Sequence, residues 1–315
     1  MSRFDFSTTG SDVFAAFPEQ VAGKTFVITG ASTGGLGASV AIALAAGNPA
    51  AILLLGRSEH KVSPVLKEIE HISPSTRAHF IKVDLASCAS VRAAAAEVDA
   101  TVSKVDVLIN NAGIMGVKFA LTPENVESQF GANHIGHFLL TNLLMPKLEA
   151  AGKGARVVNV SSAMYQFGPV RFDDINFSNG EKFNTWEAYG QSKTANILFS
   201  VALAKKLAGK GIRSYSLHPG NIQATKLSSH MDPAEWPIVG AMFVEKKIAM
   251  PKEKTLEQGS ATTIAAALDP GLDGVSGAFL DDCNVAETLE YASSEENAEK
   301  LWTLSEKIVG EKFSY

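Results

Sequence analysis

The chain has 315 residues, 46% of them hydrophobic and 19% charged, with a net charge of −5. That is ample for the core of one large or two small domains, and the acidic balance excludes a broad basic surface for nucleic acid. Two cysteines, Cys88 and Cys283, cannot build a disulfide framework, so a reducing compartment is expected. The N-terminus (MSRFDFSTTGSDVFAAF) lacks the basic segment and long apolar core of a secretory signal. Leu44 to Leu55 is apolar but is broken by Gly47-Asn48-Pro49, short of the roughly 20 uninterrupted residues of a membrane span. A cytoplasmic protein with no obligate membrane is the expectation.

In chain order, residues 1–22 are polar with scattered Phe and read as an extension, packed on the surface or partly mobile. Lys24 to Gly30 (KTFVITG) reads as a buried strand, Gly34 to Ala46 as a helix and Ala50 to Gly56 as a second buried strand. A polar helix (Glu59 to Ile72), a strand (Ala78 to Asp84) and an Ala-rich helix (Ser87 to Val102) follow. Val105 to Asn110 is the next strand, and Pro123 to Ala150 is helical in pattern. Ala155 to Val160 and Gly211 to Leu217 are further strands, and Ser294 to Gly310 is a closing helix. Strand and helix alternate, which predicts an α/β domain: a Rossmann-like, doubly wound parallel sheet with helices on both faces. No repeat or linker divides it, so residues 23–315 are expected to form one domain.

Thr29 to Gly37 (TGASTGGLG) lies between the first strand and the first helix. Glycines there let the backbone approach a pyrophosphate, and the helix N-terminus supplies N–H donors and a positive dipole end. No Gly-Lys-Ser/Thr follows, so this is not a nucleoside-triphosphate loop. The second strand runs into Arg57, where an NAD-selective site places a carboxylate. A guanidinium suits a 2′-phosphate instead, which favours NADP(H) over NAD(H).

Tyr189 and Lys193 are four residues apart at the start of a helical pattern (TANILFSVALAKKL), so they share one face. An ammonium beside a phenol favours the phenolate, and a phenol so tuned can pass a proton to or from a carbonyl oxygen. The pair alone also occurs by chance on ordinary helices. His134 and His137 lack a third ligand, so no metal is expected. Ser192 in GQSKT lacks the second glycine of a nucleophile elbow. Lys246, Lys247, Lys252 and Lys254 read as a solvated face.

Taken together these motifs resemble the short-chain dehydrogenase/reductase family over about Lys24 to Glu311. TGASTGGLG resembles its TGxxxGxG, one residue longer, so either Gly34 or Gly35 fills the middle glycine's place. Asp84 in VDL, Asn110-Asn111-Ala112-Gly113, Asn133 in NHIGHFLLT, Ser162 in VVNVSS and His218-Pro219-Gly220 match its other motifs in order. NHIGHF, AYGQSKTANILF, GAFLDDC and LWTLSEKIVGE look most like the retinol-dehydrogenase and WW-domain-oxidoreductase branch, without the WW domains.

The resemblance implies a catalytic tetrad of Asn133, Ser162, Tyr189 and Lys193. It implies cofactor contacts from Gly30, Ser32, Thr33, Gly34, Gly35, Leu36, Gly37, Arg57, Asp84, Leu85, Asn111, Ala112, Gly113, Tyr189, Lys193, Pro219, Gly220 and Ile222. Ala224 stands where the family has threonine, so Thr225 is the expected contact. Ser162 would bind the substrate oxygen, Tyr189 would act as acid/base, Lys193 would tune it and hold the ribose, and Asn133 would hold a relay water. The stretch between Ser162 and Tyr189 would form a rim. Residues 225–255 lie where the family places its substrate lid. Their Met, Trp and Phe imply a hydrophobic small molecule: an aromatic or polyketide-like carbonyl, a lipid aldehyde, or a retinoid- or steroid-like alcohol. A homodimer or homotetramer pairing through Pro123 to Ala150 and Thr194 to Leu207 is expected. Two other readings stay open: reduction of a conjugated C=C bond or dehydration on the same scaffold, and an NADP(H)-sensing regulator, which has no need of all four tetrad residues.

Overall fold

In the computed structural model, which describes residues 3–315, the run TFVIT is β1 (Thr25–Thr29), buried along its whole length. Strands covered on both faces read as largely apolar runs, as in β2 (Ala51–Gly56) and β4 (Val107–Asn110); β5 (Arg156–Val160) is equally buried but carries Arg156 and Asn159. With β3 (Arg77–Lys82), β6 (Arg213–Leu217), β7 (Phe279–Asp281) and β8 (Asn284–Ala286) they form one sheet of order 3-2-1-4-5-6-7-8. Only the β7–β8 pair is antiparallel. The order reverses between β1 and β4, and the carboxyl ends of the strands open a crevice there.

The helices are α1 (Gly10–Ala16), α2 (Leu36–Ala45), α3 (Glu59–Ile72), α4 (Cys88–Thr101), α5 (Ser128–Phe130), α6 (Gly136–Leu143), α7 (Met145–Ala151), α8 (Thr185–Lys206), α9 (Glu235–Glu245), α10 (Leu256–Leu268), α11 (Glu290–Ser293) and α12 (Glu295–Val309). Alternate β1 residues point to opposite faces. Phe26 and Ile28 pack with α1, α2, α3 and α10, and Val27 packs with α4, α6, α7, α8 and α12. This is the single α/β domain with helices on both faces that the alternation predicts.

Four stretches differ from their sequence reading. Residues 1–22 are neither packed only on the surface nor a mobile extension: within the described part, Phe4, Val13, Phe17 and Val21 are buried in the core. A capping box between Thr9 and Asp12 starts α1, which presses on α10 so closely that a Cβ on Gly10 would stand 2.2 Å from Ser260 Oγ. The pattern from Pro123 to Ala150 is not one helix but α5, a π-turn (Gly131–Ile135), α6 and α7. The β7–β8 hairpin and α10 have no counterpart in the sequence reading. Finally, Lys254 is buried rather than solvated, and is ion-paired with Asp282 in the hairpin turn.

α12 begins at its Ser294 cap and ends at Gly310 in the left-handed region. It lies against α8, and Phe313 and Tyr315 beyond it reach α6, where Tyr315 hydrogen-bonds Asn142. The faces of α6 and α8 expected to pair copies of the chain are therefore covered from within.

Candidate active site

Gly30 ends β1 at a φ of +76°, and a Cβ there would stand 2.7 Å from Ala112 Cα. Ser32 accepts from the Gly35 N–H at 2.9 Å, and Thr33 is tied to α3 by its N–H and hydroxyl, both donating to the Lys61 carbonyl at 2.9 Å. Gly34 sits at the open tip, at φ +75°. Gly35 is the N-cap of α2, with Leu36 and Gly37 opening the helix. A Cβ on Gly37 would stand 2.6 Å from Asn111 Nδ2. No side chain caps α2, so its first N–H groups and positive dipole end are available to an anion. Arg57 is exposed just past β2, and Asp84 just past β3, with one carboxylate oxygen taken by the Ala86 N–H at 3.1 Å. Leu85 packs its backbone on Gly136 of α6. Glycine backbone at the crevice and an uncapped helix fit the pyrophosphate of a nicotinamide dinucleotide.

The loop after β4 is stitched to β1. The N–H groups of Asn111 and Ala112 both donate to Thr29 Oγ1, at 3.0 and 2.9 Å. Thr29 must therefore donate its own proton to His137 Nε2 at 2.9 Å. That fixes the tautomer: His137 Nδ1 carries the hydrogen and donates to the Asn133 carbonyl at 2.9 Å. Burial pushes the His137 pKa down to about 4, so the ring is neutral near pH 7. His134 faces away, donating from Nε2 to Ser305, whose own proton goes to Leu301 O.

Asn133 lies in the π-turn, a wide helical turn often found at functional positions. Its side chain accepts from the Ile114 N–H at 2.8 Å and donates to Ile114 O and Ser192 Oγ, both at 2.9 Å. The amide is thus spent on holding the Gly113–Ile114 turn, and a relay water would have to use the second lone pair of the Asn133 carbonyl. Ser192 is a bracket rather than a nucleophile, passing its proton to Tyr189 O at 2.8 Å. Gln129 was missed from the sequence. It accepts from the Gly116 N–H at 3.1 Å and donates to Thr185 O at 3.0 Å, so it joins the site loop to the start of α8. A lone Gln in an apolar helix carries no motif; only its burial reveals it.

Asn184 caps α8, accepting from Trp186 and Glu187 N–H. Tyr189 and Lys193 follow one turn apart, both buried. Lys193 Nζ donates to Val160 O at 3.1 Å and lies 5.6 Å from the Tyr189 ring centroid. A Cβ on Gly113 would stand 3.4 Å from both Lys193 Nζ and Asn133 Oδ1, so those groups converge on that turn. Ser162, at the end of β5, accepts from the Met164 N–H at 3.1 Å and hydrogen-bonds the Tyr189 hydroxyl. The structure brings all four expected tetrad residues together. One expectation fails: burial raises the Tyr189 pKa, opposed only by the Ser162 hydrogen bond, and the lysine does not offset it. The same burial lowers Lys193 to about 8.

His218 accepts from the Ala163 N–H at 3.0 Å, fixing the turn that follows Ser162. Pro219 and Gly220 then lead to Ile222, packed on Gly259, and to Thr225, whose hydroxyl donates to Ile222 O at 3.3 Å. Lys254 lies across Gly220, and the Asn221–Glu253 bridge closes the base of the segment expected to be the lid. From that segment Val239, Met242 and Phe243 pack with Met115, Phe167, Trp186 and Tyr189. Met164 and Phe167 come from the stretch expected to form the rim. Trp186 Nε1 donates to Glu235 at 3.2 Å, which fastens α9 to α8.

The short chain dehydrogenase family pattern matches residues 24–173. Retinol dehydrogenase 11 of Homo sapiens is 38% identical over 294 residues, spanning 92% of this chain and 87% of its own. Retinol dehydrogenase 13 of Homo sapiens is 37% identical over 92% of this chain and 86% of its own. A crystal structure of an uncharacterized protein from Mycobacterium Paratuberculosis covers 96% of this chain and 98% of its own at 32% identity, with a TM-score of 0.73. The glycine loop, the Asn133–Ser162–Tyr189–Lys193 cluster and this similarity along nearly the whole length agree: the chain belongs to the short-chain dehydrogenase family, and is an NAD(P)-dependent oxidoreductase of alcohols and carbonyls.

Proposed function

We propose that the chain uses NADP(H) to interconvert a carbonyl and an alcohol on a hydrophobic small molecule, with Tyr189 as the proton carrier. The observation that carries this is the Met- and aromatic-lined cluster closing directly over Tyr189. A wall of Met115, Met164, Met231, Met242, Phe167 and Phe243 offers adaptable apolar contact and no charge. The similarity to retinol dehydrogenases, whose name denotes an apolar alcohol, points the same way. The test is oxidation of NADPH in the presence of apolar aldehydes and ketones.

A bound nicotinamide supplies hydride to the carbonyl carbon. Gly30, Gly35, Gly37 and the α2 N-terminus would hold the pyrophosphate, and Arg57 the 2′-phosphate. Ser162 would donate to the substrate oxygen, and Tyr189 would give that oxygen its proton as alkoxide charge develops. Its raised pKa means that the proton is present at neutral pH, which suits reduction. Asn133, Ser192, Gln129 and His137 hold the surrounding turns.

Arg57→Asp should raise the KM for NADPH about tenfold or more and lower that for NADH, because a carboxylate repels the 2′-phosphate and accepts from a 2′-OH. Unchanged cofactor preference in the variant would remove Arg57 from recognition.

Lys193 gives a pH signature. Its folded-state pKa, about 8, lies below its ordinary 10.5, so the fold binds this proton less tightly than the unfolded chain does. Its ammonium is present below about pH 8 and is lost above it. The kcat/KM for reduction should therefore decline as pH rises through about 8, while the cost of burying this charge fades between about 8 and 10.5. A profile flat through that range would detach the lysine's charge from catalysis.

A further inference from the structure

Lys254 ends the lid segment, one residue before α10, whose N-cap is Thr255. Its side chain is 2% exposed, and a lysine is almost never fully buried without a partner. Elements far apart in sequence meet it. Asp282, in the turn between β7 and β8, pairs with its ammonium. The Phe6 ring, from the segment before α1, lies 5.3 Å from the same Nζ, within reach of a cation–π attraction. The lysine stem lies across Gly220, where φ is +92° and a Cβ would stand 2.5 Å from Lys254 Cδ. The Lys254 N–H donates to Asn221 O at 2.8 Å. These partners are held in turn. Asn284 Nδ2, on β8, donates to Phe4 O at 3.1 Å, and the His218 N–H donates to Leu280 O, on β7, at 3.0 Å. A buried ion pair adds little net stability, because apolar residues of similar volume often serve as well. What this one fixes is the shape of the Gly220–Asn221 turn, from both its backbone and its open side.

We propose that Lys254 is a positioning residue for the nicotinamide half of the cofactor. A dinucleotide with its pyrophosphate on α2 straddles the point where the sheet order reverses. Arg57 and Asp84 lie to one side, past β2 and β3. Ser162, past β5 and bonded to Tyr189, lies to the other, with the Pro219–Ile222 turn past β6 beside it. The two sides are joined by the bond from the Ala163 N–H to His218. The reactive ring belongs on this second side, a placing that rests on the reading of Ser162 and Tyr189 as the reacting end. Gly220 and Asn221 are backbone that the ring meets there. Lys254 touches neither cofactor nor reacting atoms and acts through that turn. Its anchors, Asp282 and Phe6, make the β7–β8 hairpin and the segment before α1 part of the cofactor site.

The test compares two ligands on one preparation of the whole chain. One is the reduced dinucleotide it binds more tightly, NADPH or NADH. The other is the matching ADP-ribose, with or without the 2′-phosphate, which lacks nicotinamide. Lys254→Met keeps a stem over Gly220 and removes the charge, and Asp282, with its side chain 36% exposed, keeps contact with water. The dissociation constant of the dinucleotide should rise about tenfold, while that of the fragment stays within about twofold. The fluorescence of the bound reduced nicotinamide, which reports its surroundings, should move toward that of the free cofactor. A general loosening of the fold would weaken both ligands alike, and that result overturns the proposal. Unchanged affinity for both overturns it too, as does nicotinamide emission identical to that of the unaltered complex. Lys254→Met combined with Asp282→Leu removes the unpaired carboxylate, so the unfolding midpoint should recover while the dinucleotide affinity does not. Recovery of both overturns the role of the ion pair. If the single variant does not fold, the double variant carries the same comparison of ligands. Because binding is read without a carbonyl compound, its failure leaves the proposed substrate class standing, and a substrate panel without turnover leaves Lys254 its role.

Discussion

Tyr189→Phe should lower kcat for carbonyl reduction about a thousandfold, the scale of a lost general acid, while NADPH binding and the unfolding midpoint stay near those of the unaltered protein. The ring keeps its place among Met115, Phe167, Trp186 and Phe243. Ser162 still accepts from the Met164 N–H, so losing the phenol leaves its hydrogen-bond partner in use. The loss is therefore chemical rather than structural. NADPH oxidation, a fluorescence titration of the cofactor and a urea midpoint on the same preparation separate the two. A variant that kept most of its turnover would remove Tyr189 from proton transfer.

Phe138→Ala should cost about 3–5 kcal/mol of stability, the range for a fully buried Phe whose site cannot collapse. Its ring lies 5.0 Å from Trp302, 5.5 Å from Phe199, 5.8 Å from Phe313 and 6.1 Å from His134, centroid to centroid. One cavity would thus loosen α6, α8, α12 and the C-terminal residues together. Urea denaturation measures the cost, and limited proteolysis should find the chain after Glu306 cut earlier than in the unaltered protein. A loss of less than about 1 kcal/mol would mean that this cluster does not fasten α12.

The strands and helices that build the crevice were legible because each is long and strongly patterned. β1, β2 and β4 are short, largely apolar runs, β5 is apolar but for Arg156 and Asn159, and the bounds read for α3 coincide with those observed. The tetrad was legible because a resemblance carried it residue by residue. Other features left weaker traces. The β7 and β8 strands are three residues each, and Asp282 and Cys283, both at positive φ, join them without the glycine that marks such a turn. α10 contains Gly259, Ser260 and two threonines, which blur its period, although Thr255 and Gln258 at its start form a capping box that could have flagged it. α1 was hidden because seven residues are too few for a clear period. The π-turn around Asn133 and the burial of Lys254 depend on tertiary contacts, to Ile114 and Ser192 in one case and to Asp282 in the other. The Tyr189 pKa reversed for a related reason. Sequence shows the charged neighbour, but the desolvation that outweighs it belongs to the folded cluster.

The measurement that bears most directly on the proposed function is NADPH oxidation by the unaltered protein, with NADH alongside, across a panel of apolar aldehydes and ketones. The account predicts turnover that favours NADPH and rises with the apolar size of the substrate. Protein that binds NADPH yet oxidises neither cofactor with any member of the panel would contradict it.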